Sequence, residues 1–236
     1  MREPVKGRTR AGRQREERAR NRRQRVVDAA LRLFLERGYV ATTVEAIAQE
    51  AAVAPATVYQ AFGTKQAILA RILDVTIAGD SGPAALLERD WVRQASQDPD
   101  PWQRLALIIR HTSQVASRTA AIKDVMRDAA ATDPAVRQLM RKDDQRRYVT
   151  QRALVGLIIG EDSLPAGRDR DHAVATFFAM VNSYSYQLLA GHLGWSPADW
   201  QQWLTCVLGR ELLGTSEPPS AGSCAQDVGV DQPGEQ

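Results

Sequence analysis

Residues 41–65 read ATTVEAIAQEAAVAPATVYQAFGTK, and this stretch decides the fold. A helix starts at Thr42 or Thr43, where Thr42 and Glu45 have the spacing of a capping box, hydroxyl first and carboxylate three residues on. Val44, Ile47, Ala48 and Ala51 then recur at helical intervals and form one buried stripe. The turn Ala52-Val53-Ala54 follows, and Pro55 suits the first position of the next helix, where its missing N–H costs nothing. In that helix Val58 and Phe62 point inward together, whereas Ala56, Thr57 and Gln60 face away. Two short helices joined by a three-residue turn, the second small and polar on its outer face, have the dimensions that a DNA major groove about 12 Å wide admits.

Working outward, Val26, Val27, Ala30, Leu31 and Phe34 repeat at spacings of three and four, so a first helix runs from about Asn21 to Gly38. Gly38 supplies the left-handed residue that ends it, and Tyr39 follows as an apolar clasp. Thr64-Lys65 opens a fourth helix that ends near Gly79 and is expected to be the sole continuous link between a small head and a larger body. The segment from Asp80 to Asp100, with Gly82, Pro83 and Pro99, reads as a broken connection. Asp100-Pro101, Asp133-Pro134 and Ser196-Pro197 each place a capping group before a first-turn proline. These signals predict further helices at about 101–119, 121–131, 134–158, 170–191 and 197–213. Gly160 to Asp169 reads as a loop. No strand alternation lasts more than a few residues, so the predicted fold is all-α. Its parts are a disordered basic arm (1–20), a three-helix head with the helix-turn-helix (21–80), a helical body (81–214) and a disordered tail (215–236).

Charge supports a polyanionic partner. The 236 residues carry a net charge of +3, but residues 1–25 hold eleven Arg or Lys against Glu3, Glu16 and Glu17. That segment therefore carries +8, leaving −5 on the rest, and such polarisation suits a basic end drawn to nucleic acid. No stretch approaches the roughly 18 apolar residues of a membrane span, and no signal-peptide core follows the basic opening. A cytoplasmic location is expected. Cys206, in an apolar helical pattern, reads as a packed thiol and Cys224 as a solvated one; they form no CxxC pair. There is no GxSxG, HExxH, P-loop or strand-borne GxGxxG, and His111, His172 and His192 lack ligand spacing. Neither catalysis, a metal nor a cofactor is expected.

The run T-T-V-x-x-I-A (Thr42–Ala48), then T-V-Y-x-x-F-x-T-K (Thr57–Lys65), preceded by AALRLFLERGY (Ala29–Tyr39), strongly resembles the DNA-binding head of TetR-type regulators over about residues 22–73. The resemblance implies that Thr43, Tyr59 and Lys65 contact DNA phosphates. It makes Thr57 and Gln60 candidates for reading base edges, with Ala54 and Ala56 close enough to touch a thymine methyl. Two residues depart from the family pattern. Ala52 stands where Gly is usual, at a cost of about 1 kcal/mol if the residue is left-handed. Ala54 stands where Ser or Thr is common, which leaves the third helix without a side-chain cap worth about 1 kcal/mol.

The resemblance further implies a homodimer on an inverted-repeat operator in double-stranded DNA, released by a small-molecule effector, with repression likelier than activation on family precedent alone. A sequence-nonspecific nucleic-acid-binding helical protein is the alternative. In the body, Trp200, Trp203, Leu204, Val207 and Leu208 form an apolar stripe taken as a dimer interface, paired with the helix at 170–191 in a four-helix bundle. Polar and soft groups that interrupt apolar helices are the candidates for a ligand lining: His111, Met126, Met140, Tyr148, Phe178 and Asn182, with Tyr184 and Tyr186 nearby.

Overall fold

The computed structural model describes residues 10–79, 86–160, 164 and 169–214. The first helix starts well before Asn21: α1 spans Arg10–Ala41, so the arm expected to be disordered is helical from Arg10 onward. Its residues explain the correction. Arg, Gln, Glu and Ala have the highest intrinsic helix propensities, and no β-branched residue interrupts them before Val26. A helix already nucleated by a packed segment extends through such residues without needing an apolar stripe. Residues 1–9 and 215–236 lie outside the described residues, as do most of those between Gly160 and Asp169.

Helix α1 breaks its helical geometry at Gly38 (φ 77°, ψ 166°), and Tyr39 folds back so that its ring lies 5.4 Å from that of Phe34. Thr42 does not cap α2. It is buried, and its hydroxyl donates to the carbonyls of Leu33 (3.2 Å) and Gly38 (2.8 Å). The cap is Thr43, whose Oγ1 accepts from the Ala46 amide at 3.1 Å. Helix α2 (Val44–Glu50) leads into α3 (Pro55–Phe62). Between them Val53 N–H bonds to Ala48 O (3.0 Å) and Ala52 N–H to Gln49 O (3.1 Å), the paired bonds of a Schellman ending. Thr64 caps α4 (Lys65–Ala78).

Beyond α4, a 3₁₀ turn (Leu86–Glu88) precedes α5 (Asp90–Gln97), a helix inside the segment read as a broken connection. Its Trp91, Val92 and Ala95 are buried, a short stripe that the flanking prolines obscured. Helix α6 (Pro101–Thr132) is single where two were expected, because no Gly or Pro interrupts Ser117-Arg-Thr-Ala-Ala-Ile122. Helix α7 covers Pro134–Ile159. The helix expected over 170–191 is divided into α8 (Arg170–Met180), α9 (Ser183–Tyr186) and a π-helical turn (Gln187–His192). Asn182 causes the break: its Oδ1 accepts from the amides of Tyr184 (2.8 Å) and Ser185 (2.9 Å), offering the backbone a cap in place of a helical bond. Arg147 and Gln151 donate to the carbonyl of Val181, which the break leaves over. Helix α10 (Pro197–Leu213) starts with the capping box of Ser196 and Asp199 and ends at left-handed Gly214. Among the described residues there is no strand, and no helix is long and apolar enough to cross a membrane.

The chain divides into two compact units, Met1–Pro83 with Arg118–Gln145, and Ala84–Ser117 with Arg146–Gln236. The unit that holds the head is therefore not residues 21–80 alone. Ile122, Met126, Ala129 and Val136 share one buried cluster with Val26, Phe34, Ile47, Val58 and Leu69. Helices α6 and α7 each contribute to both units, so α4 is not the sole continuous link. The second unit closes around Leu105, Ile108, Leu154, Phe177, Trp200 and Leu204. In it Arg104 is buried and donates to the carbonyls of Ile158, Asp98 and Pro99, so its charge rests at the carbonyl end of α7, where the helix dipole is negative.

Candidate nucleic-acid interface

Helices α2 and α3 bury Val44, Ile47, Ala48 and Val58, and Val53 and Phe62 pack against the same cluster. This holds one face of α3 outward. Ala54, Pro55, Ala56, Tyr59 and Gln60 are exposed and Thr57 half-buried. Ala54 occupies the N-cap without a side-chain bond, and Pro55 follows at the first turn. The outer face offers two methyl groups, a hydroxyl and one carboxamide, the last able to donate and accept in a single plane.

Of the three phosphate candidates, Thr43 caps α2, Tyr59 lies on α3 and Lys65 opens α4. Thr43 is exposed; its cap bond uses an oxygen lone pair and leaves the hydroxyl proton to donate elsewhere. Tyr59 Oη donates to Glu45 Oε1 in a long contact of 3.3 Å. The Glu45 charge raises the phenol above its ordinary value, which keeps it protonated and a donor. Lys65 does more than the sequence suggested. Its ammonium donates to Tyr39 O (2.8 Å) and Thr42 O (2.9 Å) and lies 4.1 Å from the centre of the Tyr39 ring. Burial lowers its pKa, and the nearby Asp133 opposes that shift. Two of its three donors thus tie the end of α1 to the start of α2, and one is left for an anion.

A further anchor was not legible in the sequence. Asp133, in the turn between α6 and α7, accepts from Tyr39 Oη (3.2 Å), Gln66 Nε2 (2.9 Å) and the Ala135 amide (2.8 Å). Burial pushes its carboxyl up, but the bonds from Gln66, Ala135, Val136 and Tyr39 outweigh this and hold it below the usual carboxylate range. The sequence signalled Asp133 only as a helix cap. Further along the two helices, an ion pair of half-buried Lys123 and buried Asp143 joins α6 to α7.

The ligand-lining candidates do not gather in one place. Met126 and Met140 pack in the cluster that includes the head helices. Tyr148 and Phe178 meet edge-on at 5.5 Å, and Asn182 donates to Ala179 O at 2.6 Å from the same helix end. The Phe178 ring carries the Arg147 guanidinium 3.6 Å from its centre. His111 stacks on Trp91 at 4.7 Å, and burial together with Arg110 and Arg89 lowers its pKa, which favours the neutral ring. A separate polar group lies in the second unit: Ser117 Oγ donates to Tyr186 Oη (3.1 Å), the Tyr186 ring meets Trp200 edge-on at 5.2 Å, and Ser113 lies one turn from Ser117. Ser113 Oγ and Trp200 Nε1 are buried and have no hydrogen-bond partner among the described residues. Serines on an apolar helix carried no signal in the sequence. Among the described residues no three His, Cys, Asp or Glu side chains come together as metal ligands.

The stripe taken for a dimer interface is mostly internal. Trp200, Leu204 and Leu208 are each 0% exposed, buried in the core of their own unit, while Trp203 and Val207 stay half-buried. Periodicity identified α10 as amphipathic but could not say whose core its apolar side fills. Cys206 is disulfide-bonded and not a packed thiol; Cys224, the other cysteine, lies outside the described residues.

A family described as "Bacterial regulatory proteins, tetR family" matches residues 26–72, the span that carries this interface. The head of this chain is thus similar to that of the tetR family. A curated relative, the HTH-type transcriptional regulator HbdR of Aromatoleum sp. (strain CIB), is 48% identical over 48 residues, 20% of this chain and 21% of its own. That match spans about a fifth of the relative's length. Solved structures extend the likeness to the body. The transcriptional regulator FadR from Bacillus subtilis, in complex with stearoyl-CoA, matches with a TM-score of 0.59 and 20% identity over 78% of this chain and 96% of its own. AibR, in complex with isovaleryl coenzyme A and operator DNA, matches with a TM-score of 0.55 and 16% identity over 81% and 98%. At these identities the likeness is one of fold. Within the matched span, Ala52 takes a positive φ and Ala54 caps α3 without a side-chain bond.

Proposed function

We propose that this protein binds double-stranded DNA as a homodimer on an inverted repeat and acts as a repressor that a small molecule releases. The observation that carries the reading is the outward face of α3, where Ala54, Ala56 and Gln60 are exposed and Thr57 half-buried. In this reading α3 enters the major groove. Gln60 reads a base edge, most favourably an adenine through paired bonds, and the alanines meet thymine methyls. Thr43, Tyr59 and the remaining Lys65 donor hold phosphates. Tyr59 exchanges its Glu45 bond for the phosphate. A single recognition helix reads too few base pairs for a genome, and two-fold symmetry doubles the site.

The effector is amphiphilic. Trp200 Nε1 can only donate, so the ligand offers it an acceptor, and the apolar cluster around Trp200 takes the rest. FadR and AibR, which share the fold, are complexed with acyl-CoA esters, and an acyl chain with a polar end is the class to try first. Release needs several kcal/mol of differential affinity between two states of the protein. Asp133 gives the turn of α6 and α7 a direct hold on Tyr39 and Gln66 in the head.

Footprinting on DNA around its own gene, with competition by bulk DNA, tests the proposal; one site should win by orders of magnitude. Gln60→Ala should then cost about 1 to 3 kcal/mol at one base pair. Lys65→Ala should weaken binding to all sequences alike. Binding with no preference over bulk DNA would establish the nonspecific coating protein instead.

A further inference from the structure

Val26 is the first residue of α1 that the fold buries; the described side chains from Gln14 to Arg25 are exposed except for half-buried Ala19. None of the described side chains in this part of the helix is fully buried. Its charges, however, are ordered by the helix. Arg15, Arg18, Arg22 and Arg25 follow at intervals of three, four and three, which sets them within about 80° of arc along one face. Glu16, Glu17, Arg20 and Arg23 all lie more than about 100° from the centre of that face. Neighbouring arginines three and four apart repel one another, an arrangement a free helix gains nothing from and a polyanion relieves.

The face has a known direction. Arg18, Arg25 and Arg32 fall seven residues apart, in one row along the helix, and Arg32 bridges to Glu50 of α2 at 2.9 Å. The arginine stripe therefore continues the flank of α1 that meets α2 of the helix-turn-helix. From Arg15 to Arg25 the helix rises about 15 Å. One strand of a duplex advances only about 3.4 Å along the axis per phosphate, so a face of this length can reach more than one phosphate.

We infer that Arg10–Arg25 is a second DNA-binding element, a preformed helix that lays this arginine face along the phosphate backbone of duplex beside the site read by α3. The inference rests on the DNA-binding reading above. A flexible cationic tail would spend about 1 kcal/mol or more for each residue ordered on binding; a helix already formed does not, and it can engage all four arginines together.

The test uses the full chain and a mixed-sequence duplex DNA, with affinity measured across a salt series for two paired variants of equal charge. Arg18→Gln with Arg22→Gln removes half the stripe; Arg20→Gln with Arg23→Gln removes two arginines from elsewhere on the same turns. Gln keeps nearly the same helix propensity. The first pair should flatten the salt slope by about two units, and the second by well under one. Equal flattening by both pairs would make the segment a facially indifferent charged tail and overturn the inference. So would no change in either, or a loss for the first pair seen on phosphatidylglycerol vesicles or single-stranded RNA but not on duplex. If the unaltered chain binds no duplex at all, the regulator reading itself fails, and this inference with it.

Discussion

At position 52 the turn between α2 and α3 holds an alanine at φ 52°, the only non-glycine residue with positive φ among those described. An L-residue there crowds its Cβ against the following carbonyl, at a cost of roughly 1 to 2 kcal/mol, part of which Gly would return as lost chain entropy. Ala52→Gly should therefore stabilise the protein by about 0.5 to 1 kcal/mol in urea melts; a lower midpoint would show that the turn is not strained. The sequence pointed to this position only through the family resemblance, in which Gly is usual there. Ser113 is the opposite case, since burial without a partner leaves no trace in one sequence. Removing an orphaned hydroxyl takes away a desolvation cost of about 1 kcal/mol or more. Ser113→Ala should leave the unliganded protein as stable or slightly more stable, and should weaken acyl-ligand binding. A clear loss of stability without ligand would mean that the hydroxyl is already bonded.

Among the elements, the turn of α6 and α7 matters most to the DNA-binding unit, through one carboxylate. Asp133 caps α7 and accepts from Tyr39 and Gln66, so Asp133→Ala should cost about 2 kcal/mol. Asp133→Asn, which keeps an acceptor oxygen, should recover part of it. Because the folded carboxyl titrates below its unfolded value of 3.8, its contribution is complete above that value and is lost as pH falls through the lower, folded one. Thermal melts from pH 6 to pH 3 should show this loss in the native chain and not in Asp133→Asn. A parallel acid response in the two would remove Asp133 from the account. Helix caps and prolines marked the starts of α6, α7 and α10 in the sequence. The break after Met180 was hidden, since Phe177 to Tyr186 reads as one helix until Asn182 is seen to prefer its own cap bonds. The early start of α1 was hidden for another reason: apolar periodicity cannot report a helix that packs against nothing.

For the whole molecule, pairing of two copies is where the sequence was least informative, because an apolar stripe looks the same whether it fills its own core or a partner's. Burial separates the cases on α10. Trp200→Ala should cost about 3 to 5 kcal/mol in any oligomeric state. Trp203→Glu with Val207→Glu should instead split a dimer in sedimentation while the melting of each copy changes little. A dimer that survives the double change would move the interface off this face. The two compact units also bear on how regulators of this kind are rebuilt. A gene fusion cut at residue 80, meant to graft this DNA-reading end onto a foreign sensor, would strip Ile122, Met126, Ala129 and Val136 from the cluster it must keep, and Asp133 with them. Such a chimera should aggregate or melt early. Crossovers within α6 after Ser117 and within α7 after Gln145 would carry the borrowed hairpin along, so the exchangeable part is a piece taken from two places in the chain.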